Sequence, residues 1–382
     1  MGRLFRQITR SYSFVTTPIF YVNGPPHIGH LYTSLLADTY RRWNVLKEPS
    51  GEHIFVTGSD EHGSKVRLRN TGAICKAKYE GWYSVVDEAF YMEDAVEERD
   101  VNGQKHKVAK ETGSRVEWAE EENYMFNLAM FRERVRYWIS TGSVSPSTFG
   151  NLALHYVDGE DLLSVSRDRR RVDWGIPVPG DPTQTIYVWL DALVSYMSAT
   201  KQSNPSLWPP TCQIIGKDIL KFHAVYWPSF LLAADLPLPK CLFVHDFSLA
   251  EAVNAVNADL VNNIGNLLSR STVSKLNSHQ QYHSPDTLHP NIKQAAGALI
   301  EDLETLRDRV APLYDRLRFY KEIMGVSKTA NALFQVAAPW KMNEGDEDVI
   351  LDEDYGEMFC SCRRCYMLCT RPFECVRLFS FQ

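Results

Sequence analysis

The sequence predicts an α/β domain built on a parallel sheet, followed by an all-helical domain. Short apolar, β-branched strand patterns alternate with helical spacing up to about residue 257. Those strands end in turns rich in glycine, histidine and acidic residues. From Ala258 only helical stripes remain.

Ser13–Thr17 reads as a short strand of β-branched and aromatic residues, and Asn23-Gly24-Pro25-Pro26 marks a turn. A helix is expected from His27, with Ile28, Leu31, Leu35 and Tyr40 at roughly helical spacing. His53–Thr57 is a second strand and runs into Gly58-Ser59-Asp60-Glu61-His62-Gly63. Strand, turn, helix, strand opens a parallel nucleotide-binding sheet. Gln213–Gly216 and Cys241–Val244 read as further buried strands, with a helix over Ile219–Leu232 between them. Ligands of such sheets sit beyond the carboxyl ends of the strands. Chemistry is therefore expected after Thr17, Thr57, Ile215 and Val244.

The helical region, 258–342, carries three apolar stripes: Leu260, Ile264, Leu267 and Leu268; Leu299, Leu303, Leu306 and Val310; Val326, Ala330, Leu333 and Ala337. Beyond it, 343–382 loses periodicity, turns acidic over Glu344–Asp354 and holds Cys360, Cys362, Cys365, Cys369 and Cys375. Their spacing could bind zinc, but no histidine or second knuckle accompanies it, and an unstructured tail is the plainer reading. Without a secretory signal, a disulfide framework is not expected.

The chain has 382 residues, 44% hydrophobic and 23% charged, as for a globular protein of two or three domains. No stretch reaches the ~18 apolar residues of a spanning helix, and no membrane partner is expected. The net charge of −6 excludes a uniformly basic coat for nucleic acid. It leaves room for a local patch, because screening confines a field to ~8–10 Å. The densest basic run, Arg167 to Arg171, reads first as a solvated loop and otherwise as such a patch. Residues 1–12 carry Arg3, Arg6 and Arg10 beside Leu4, Phe5 and Ile8 and no acidic residue, the composition of a mitochondrial presequence.

Pro18–His30 is the most informative run. It sets His27 and His30 three apart at a helix start, with Gly29 allowing close approach to the backbone. Free N–H groups and a partial positive charge at a helix N-terminus suit phosphate. Imidazoles there can donate to a phosphate as charge builds on it. The residues by themselves leave two readings open, an anion site or a pair of helix-capping histidines.

His27-Ile28-Gly29-His30 after a strand resembles the His-Ile-Gly-His element of class I aminoacyl-tRNA synthetases. The flanking Pro18, Tyr21, Asn23 and Gly24 narrow the resemblance to the methionyl enzymes, and with the presequence-like start the chain resembles those of mitochondrial type. Further blocks are similar, in the same order, at Val56–Gly63, Ser164–Pro179, Ile186–Tyr196, Ile214–Pro228 and Ala330–Trp340. The resemblance spans residues 15 to 341. It implies a Rossmann-like catalytic domain over 13–257, with a connective insertion at about 75–160. An α-helical anticodon-binding bundle over 258–342 would follow.

The implied reaction is ATP-dependent activation of L-methionine to methionyl-adenylate and transfer to tRNA(Met), in the mitochondrial matrix. The resemblance implies a monomer and Mg2+ carried on ATP. At matching positions, His27, His30 and Arg167 would be catalytic. His27, Gly29, His30, Gly216 and Asp218 would contact ATP. Ile19, Tyr21, Asp60, Trp189, Ala192, Leu193, Tyr196, Phe222 and His223 would form the methionine pocket. There Asp60 would hold the ammonium, and Arg167 would steer the carboxylate or the ATP phosphates. Aromatic walls suit an apolar, polarizable thioether. Asn266, Arg270 and Trp340 would read the anticodon, by hydrogen bonds to base edges and by stacking worth ~1–3 kcal/mol per base.

Two segments depart from that pattern. The Lys-Met-Ser-Lys-Ser motif expected after the strand ending at His245 is absent, and Asp246-Phe247 leads almost directly into Ser248–Asp259. Losing one such charge-stabilising group costs ~3–4 kcal/mol, or about 10²–10³-fold in rate. Between Asp60–Leu68 and Tyr79–Tyr83 only Arg69–Lys78 intervene, where the family carries further sheet and helix elements. The turn Tyr83-Ser84-Val85-Val86-Asp87 has no cysteine pair, so no structural zinc is expected there. Three readings follow: a family enzyme with missing segments, a binding module without aminoacylation activity, or a nucleotidyltransferase that uses no tRNA. The block at Asn266, Arg270 and Trp340 speaks against the third.

Overall fold

The computed structural model describes residues 12–20, 25–59, 72–271 and 290–337, apart from 88, 92, 102–103, 111, 173, 204–206, 315–316 and 318–319. Tyr21, Asp60, Trp340, residues 1–11 and the tail 343–382 lie outside the described residues. In chain order the first elements are β1 (Tyr12–Phe20), α1 (Ile28–Lys47) and β2 (Glu52–Ser59). Then come β3 (Ile74–Ser84), β4 (Ala89–Tyr91), β5 (Val96–Val101), β6 (Gln104–Ala109) and β7 (Glu117–Asn127). Next are α2 (Arg132–Trp138), β8 (Val144–Ser145), α3 (Ser147–Val157), β9 (Leu162–Ser164) and β10 (Ser166–Asp168). They are followed by β11 (Pro177–Val178), β12 (Asp181–Ile186), α4 (Val188–Ser203), β13 (Cys212–Gly216), α5 (Trp227–Ala233) and β14 (Leu242–His245). The last helices are α6 (Leu249–Ala255), α7 (Asn266–Ser271), α8 (Pro290–Tyr314) and α9 (Tyr320–Ala337). None of the described helices is long and apolar enough to cross a membrane.

The described residues form two compact units, one within Tyr12–His30 and Ile54–His245, the other of Leu31–His53 with the described residues after His245. The first is organised by a five-stranded sheet of order β2-β1-β13-β14-β8. β1 runs parallel to β13, with Thr16 opposite Gln213. β13 runs parallel to β14, with Gly216 opposite His245. All four residues of β14 are buried, as expected of a parallel sheet covered on both faces. The Thr17 and Thr57 hydroxyls bond at 2.6 Å and tie β1 to β2. The chain leaves β1 toward β2 on one side and passes from β13 to β14 on the other. The strand order therefore reverses between β1 and β13, where open α/β sheets bind ligands.

Above this sheet, β3 and β7 pair antiparallel from Ile74 opposite Phe126 to Tyr83 opposite Glu117. Asp87, past the end of β3, accepts hydroxyl bonds from Tyr91, Thr112 and Ser114, which fix the turn that follows Tyr83. A core around Phe126, Leu193, Ile215, Trp227 and Leu231 lies beneath.

Three of the four predicted strands are longer by one to four residues and the fourth is shifted by one, to Leu242–His245, while the single helix expected over Ile219–Leu232 is divided. A 3-10 turn covers Lys217–Ile219, a π-helical turn covers Phe222–Tyr226, and α5 begins at Trp227. Pro228 has no N–H to offer the carbonyl one turn back, so the regular ladder breaks just upstream of it.

In the second unit the helices begin before Ala258, at Leu249. Ser248 caps α6 by accepting from the Glu251 N–H at 3.3 Å. The backbone then widens into a π-helical path over Val256–Gly265. Turning less than 100° per residue, that path spreads the first predicted stripe: Leu267 is buried while Leu260 and Leu268 are exposed. The other stripes hold, with Leu299, Leu306 and Val310 on α8 and Val326, Ala330 and Leu333 on α9 buried where the two helices pack. Asn331 Nδ2 donates to Asn263 Oδ1 at 2.6 Å, joining α9 to the π-helical stretch.

Candidate active site

The described candidate residues come from the ends of β1 and β13, the start of α1, the helix α4 with the π-helical turn, and β10. At the first, the His27 and His30 rings stack 3.7 Å apart, and Phe20 lies against His30 at 4.7 Å. Gly29 N–H donates to His27 Nδ1 at 3.1 Å, and His27 N–H approaches His30 Nδ1 at 3.4 Å. With each Nδ1 accepting, a neutral ring carries its proton on Nε2. No described residue bonds to either Nε2. A Cβ on Gly29 would stand 3.0 Å from two His27 ring atoms, so the glycine permits the ring to fold back on the helix start. Burial, and then the neighbouring charge of His27, holds His30 below the ordinary histidine value. The first turn of α1 has no acidic residue to offset its dipole.

Gly216 ends β13, and Asp218 follows it, exposed, in the 3-10 turn. Gly216 has an ordinary φ of −74°, and a Cβ there would meet only His245 at 4.0 Å. Its lack of a side chain therefore leaves open space at the sheet edge rather than permitting a special backbone shape. Ile19 lies three residues beyond Thr16, as Gly216 lies three beyond Gln213, so both stand at the same edge.

The aromatic group sits on α4 and the π-helical turn. Trp189 stacks on Phe222 at 3.8 Å with 19° between planes and meets His223 edge-on at 6.4 Å. Ala192, Leu193 and Tyr196 follow Trp189 at helical spacing on α4, which packs on β1. His223 Nδ1 lies 2.9 Å from the Ile219 carbonyl, which can only accept, so Nδ1 holds the ring proton. Nε2 then accepts from the Tyr196 hydroxyl at 2.7 Å. Burial pushes His223 down to about 4 and raises the Tyr196 phenol well above its usual range. Both side chains are neutral at neutral pH.

Arg167 is buried on β10. Its Nη1 donates to the Ser164 hydroxyl at 2.8 Å and the Ser166 carbonyl at 2.9 Å, and its guanidinium lies 4.0 Å over the Tyr187 ring. It lines a small cleft with Tyr187, Val188 and Asp191, beside Trp189 in the chain. Further along the basic run, Arg170 pairs with Asp168 within the run and Arg171 with Glu121 on β7.

In the second unit Asn266 and Arg270 lie one turn apart on α7, both half-buried. Tyr21, Asp60 and Trp340 have no described position. Sequence reasoning passed over Phe20 and Tyr187 as site residues. Their only signal is an aromatic residue within the Pro18–His30 run and next to Trp189.

A parallel sheet with a histidine-bearing helix start at its switch point is in keeping with a class I tRNA synthetase catalytic unit, and the family model "tRNA synthetases class I (M)" matches residues 13–71 and 66–250. The human mitochondrial methionine–tRNA ligase is 33% identical over 453 residues, covering 87% of this chain and 76% of that protein. Its counterpart from Xenopus laevis is 34% identical over 443 residues, covering 87% and 78%. The Mycobacterium tuberculosis methionyl-tRNA synthetase in complex with methionyl-adenylate superposes with a TM-score of 0.76 at 26% identity, over 94% of this chain and 91% of that one. The chain belongs to the methionyl-tRNA synthetase family and is a methionine–tRNA ligase by that membership. The 453 aligned positions exceed the 382 residues of this chain, so the human relative carries internal stretches that this chain lacks.

Proposed function

We propose that this site holds L-methionine between the Trp189–Phe222 stack and the end of β1, and ATP over the α1 start and the end of β13. The methionine carboxylate attacks the α-phosphate and pyrophosphate leaves; the terminal ribose hydroxyl of tRNA(Met) then takes the acyl group from methionyl-adenylate, losing its proton, and AMP leaves. The Nε2–H groups of His27 and His30 donate to phosphate oxygens as charge builds on them. Asp218 accepts from a ribose hydroxyl, and the space above Gly216 admits the nucleotide. Asp60 holds the methionine ammonium. Mg2+ arrives with ATP as part of the substrate. Positioning accounts for most of the rate, since two bound reactants replace a bimolecular encounter. Arg167, held by Ser164 and Ser166, sets the positive field at the methionine carboxylate. Asn266, Arg270 and Trp340 contact the anticodon. The mitochondrial relatives named above support a mitochondrial location; we place the protein in the matrix and assign a monomer.

The observation that carries this reading is the Trp189–Phe222 stack, on elements that adjoin β1 and β13, the strands flanking the switch point. The missing Lys-Met-Ser-Lys-Ser segment favours a second reading for the chain as it stands, a ligand-binding core without aminoacylation activity. Methionine-dependent ATP–pyrophosphate exchange separates the two. The 382-residue chain is expected to bind methionine and ATP but to exchange about 10²–10³-fold more slowly than a version with a lysine-motif segment restored after His245. Full exchange by the chain as it stands would make the segment dispensable. Absence of methionine binding would remove the pocket assignment.

A further inference from the structure

We propose that Glu160 is a positioning residue for methionine recognition, its carboxylate clamping both ends of the π-helical turn that carries Phe222 and His223. The proposal rests on the reading that the Trp189–Phe222 group is the methionine pocket. Glu160 stands between α3 and β9, far in sequence from the turn it holds. Lys221, just before the turn, donates to Glu160 Oε1 at 3.1 Å. Tyr226, which closes the turn, donates its hydroxyl to Oε2 at 3.2 Å.

The clamp reaches the pocket through packed rings. Tyr226 meets Phe222 edge-on at 5.4 Å, and Phe222 stacks on Trp189 at 3.8 Å. A π-helical turn between a 3-10 turn and a proline-headed helix lacks a continuous regular ladder, so side-chain ties decide where its residues sit. His223 has its own tie to Tyr196, whereas Phe222 has no polar atom. Its position is therefore set by Tyr226 and Trp189 alone among the ring contacts described.

The two arms of the clamp differ in strength. Lys221 and Glu160 are 33% and 43% exposed in their side chains, and an ion pair that open to water contributes little. The Tyr226 ring is buried, and its hydroxyl, donating to the half-exposed carboxylate from a fixed position, is the stronger arm. Removing the Tyr226 hydroxyl should therefore match removing Glu160, while loss of the lysine charge should matter less.

The test measures L-methionine binding to the full chain by calorimetry. ATP binding, thermal melting and amide exchange over residues 217–227 without ligand are followed in parallel. Glu160→Ala and Tyr226→Phe are expected to raise the methionine Kd about 3- to 10-fold and to speed exchange in that segment, with ATP affinity and melting nearly unchanged. Glu160→Gln, which keeps an acceptor for Tyr226, should stay within about twofold of the parent. An unchanged methionine Kd in Glu160→Ala, or a parallel loss of ATP affinity, would overturn the clamp while leaving the pocket standing. If the parent chain binds no methionine, the pocket reading fails first, and the clamp's role in recognition fails with it.

Discussion

Tyr196 donates its hydroxyl to Nε2 of His223 at 2.7 Å, and both residues are buried. The bond joins α4 to the π-helical turn, and with them Trp189 to Phe222. Tyr196→Phe keeps the ring but leaves the His223 nitrogen a buried acceptor with no donor. The variant should lose about 1–3 kcal/mol of stability in urea unfolding. A loss under about 0.5 kcal/mol would mean that water replaces the hydroxyl.

The same pair sets a pH dependence. His223 titrates near 4 in the fold, because burial disfavours its charged form, against 6.5 unfolded. Between those values the unfolded chain binds the extra proton, so acid favours unfolding. This contribution is complete above about pH 6.5 and is lost progressively as pH falls toward 4. The loss reaches about 2 kcal/mol by pH 5. Urea midpoints of the parent and of His223→Gln, compared at pH 7.5 and pH 5, check this. The parent should lose more than the variant on acidification, and equal losses would contradict it.

Gly29→Ala should separate stability from nucleotide binding. Alanine in the first turn of α1 favours the helix by up to about 1 kcal/mol. Its Cβ, however, would sit 3.0 Å from the His27 ring and displace it from the Gly29 N–H. Thermal melting is expected to hold or rise, while ATP affinity in a fluorescence competition assay falls on the order of tenfold. Undiminished ATP affinity would show that the His27 ring position is not used.

Gly175→Ala should act in the opposite way, through the fold. Its Cβ would approach Thr185 Cγ2 to 2.3 Å. Thr185 is fully buried, branched at Cβ, and held by its hydroxyl to the Val172 carbonyl at 2.8 Å, so it has little freedom to move aside. A destabilisation of about 1–3 kcal/mol is expected in chemical unfolding. A neutral outcome would mean that the strand end at Val178 shifts instead.

Much of the site was legible because its residues are contiguous. His27, Gly29 and His30 lie in one run, and Trp189, Ala192, Leu193 and Tyr196 share one helical face. Hydrogen bonding of period 3.6 brings such residues together whatever surrounds them. The start of α6 is fixed by the Ser248 hydroxyl capping the Glu251 N–H, whereas the apolar stripes placed the helices only from Ala258. Arg167 was harder to read. Its charge suggested a side chain turned toward ligand, but the fold surrounds it with Ser164, Ser166 and Tyr187.

From its own order of residues, the chain determines that a parallel sheet forms, that a histidine-bearing helix follows its first strand, and that helices close the described part. Those features depend on neighbours a few residues apart. Only the tertiary structure decided that Phe222 stacks on Trp189, that Tyr196 fixes the His223 tautomer, and that Glu160 grips the turn between them. Each of these pairs joins residues 27 to 66 positions apart, across elements whose approach depends on packing the whole core, which no local period encodes.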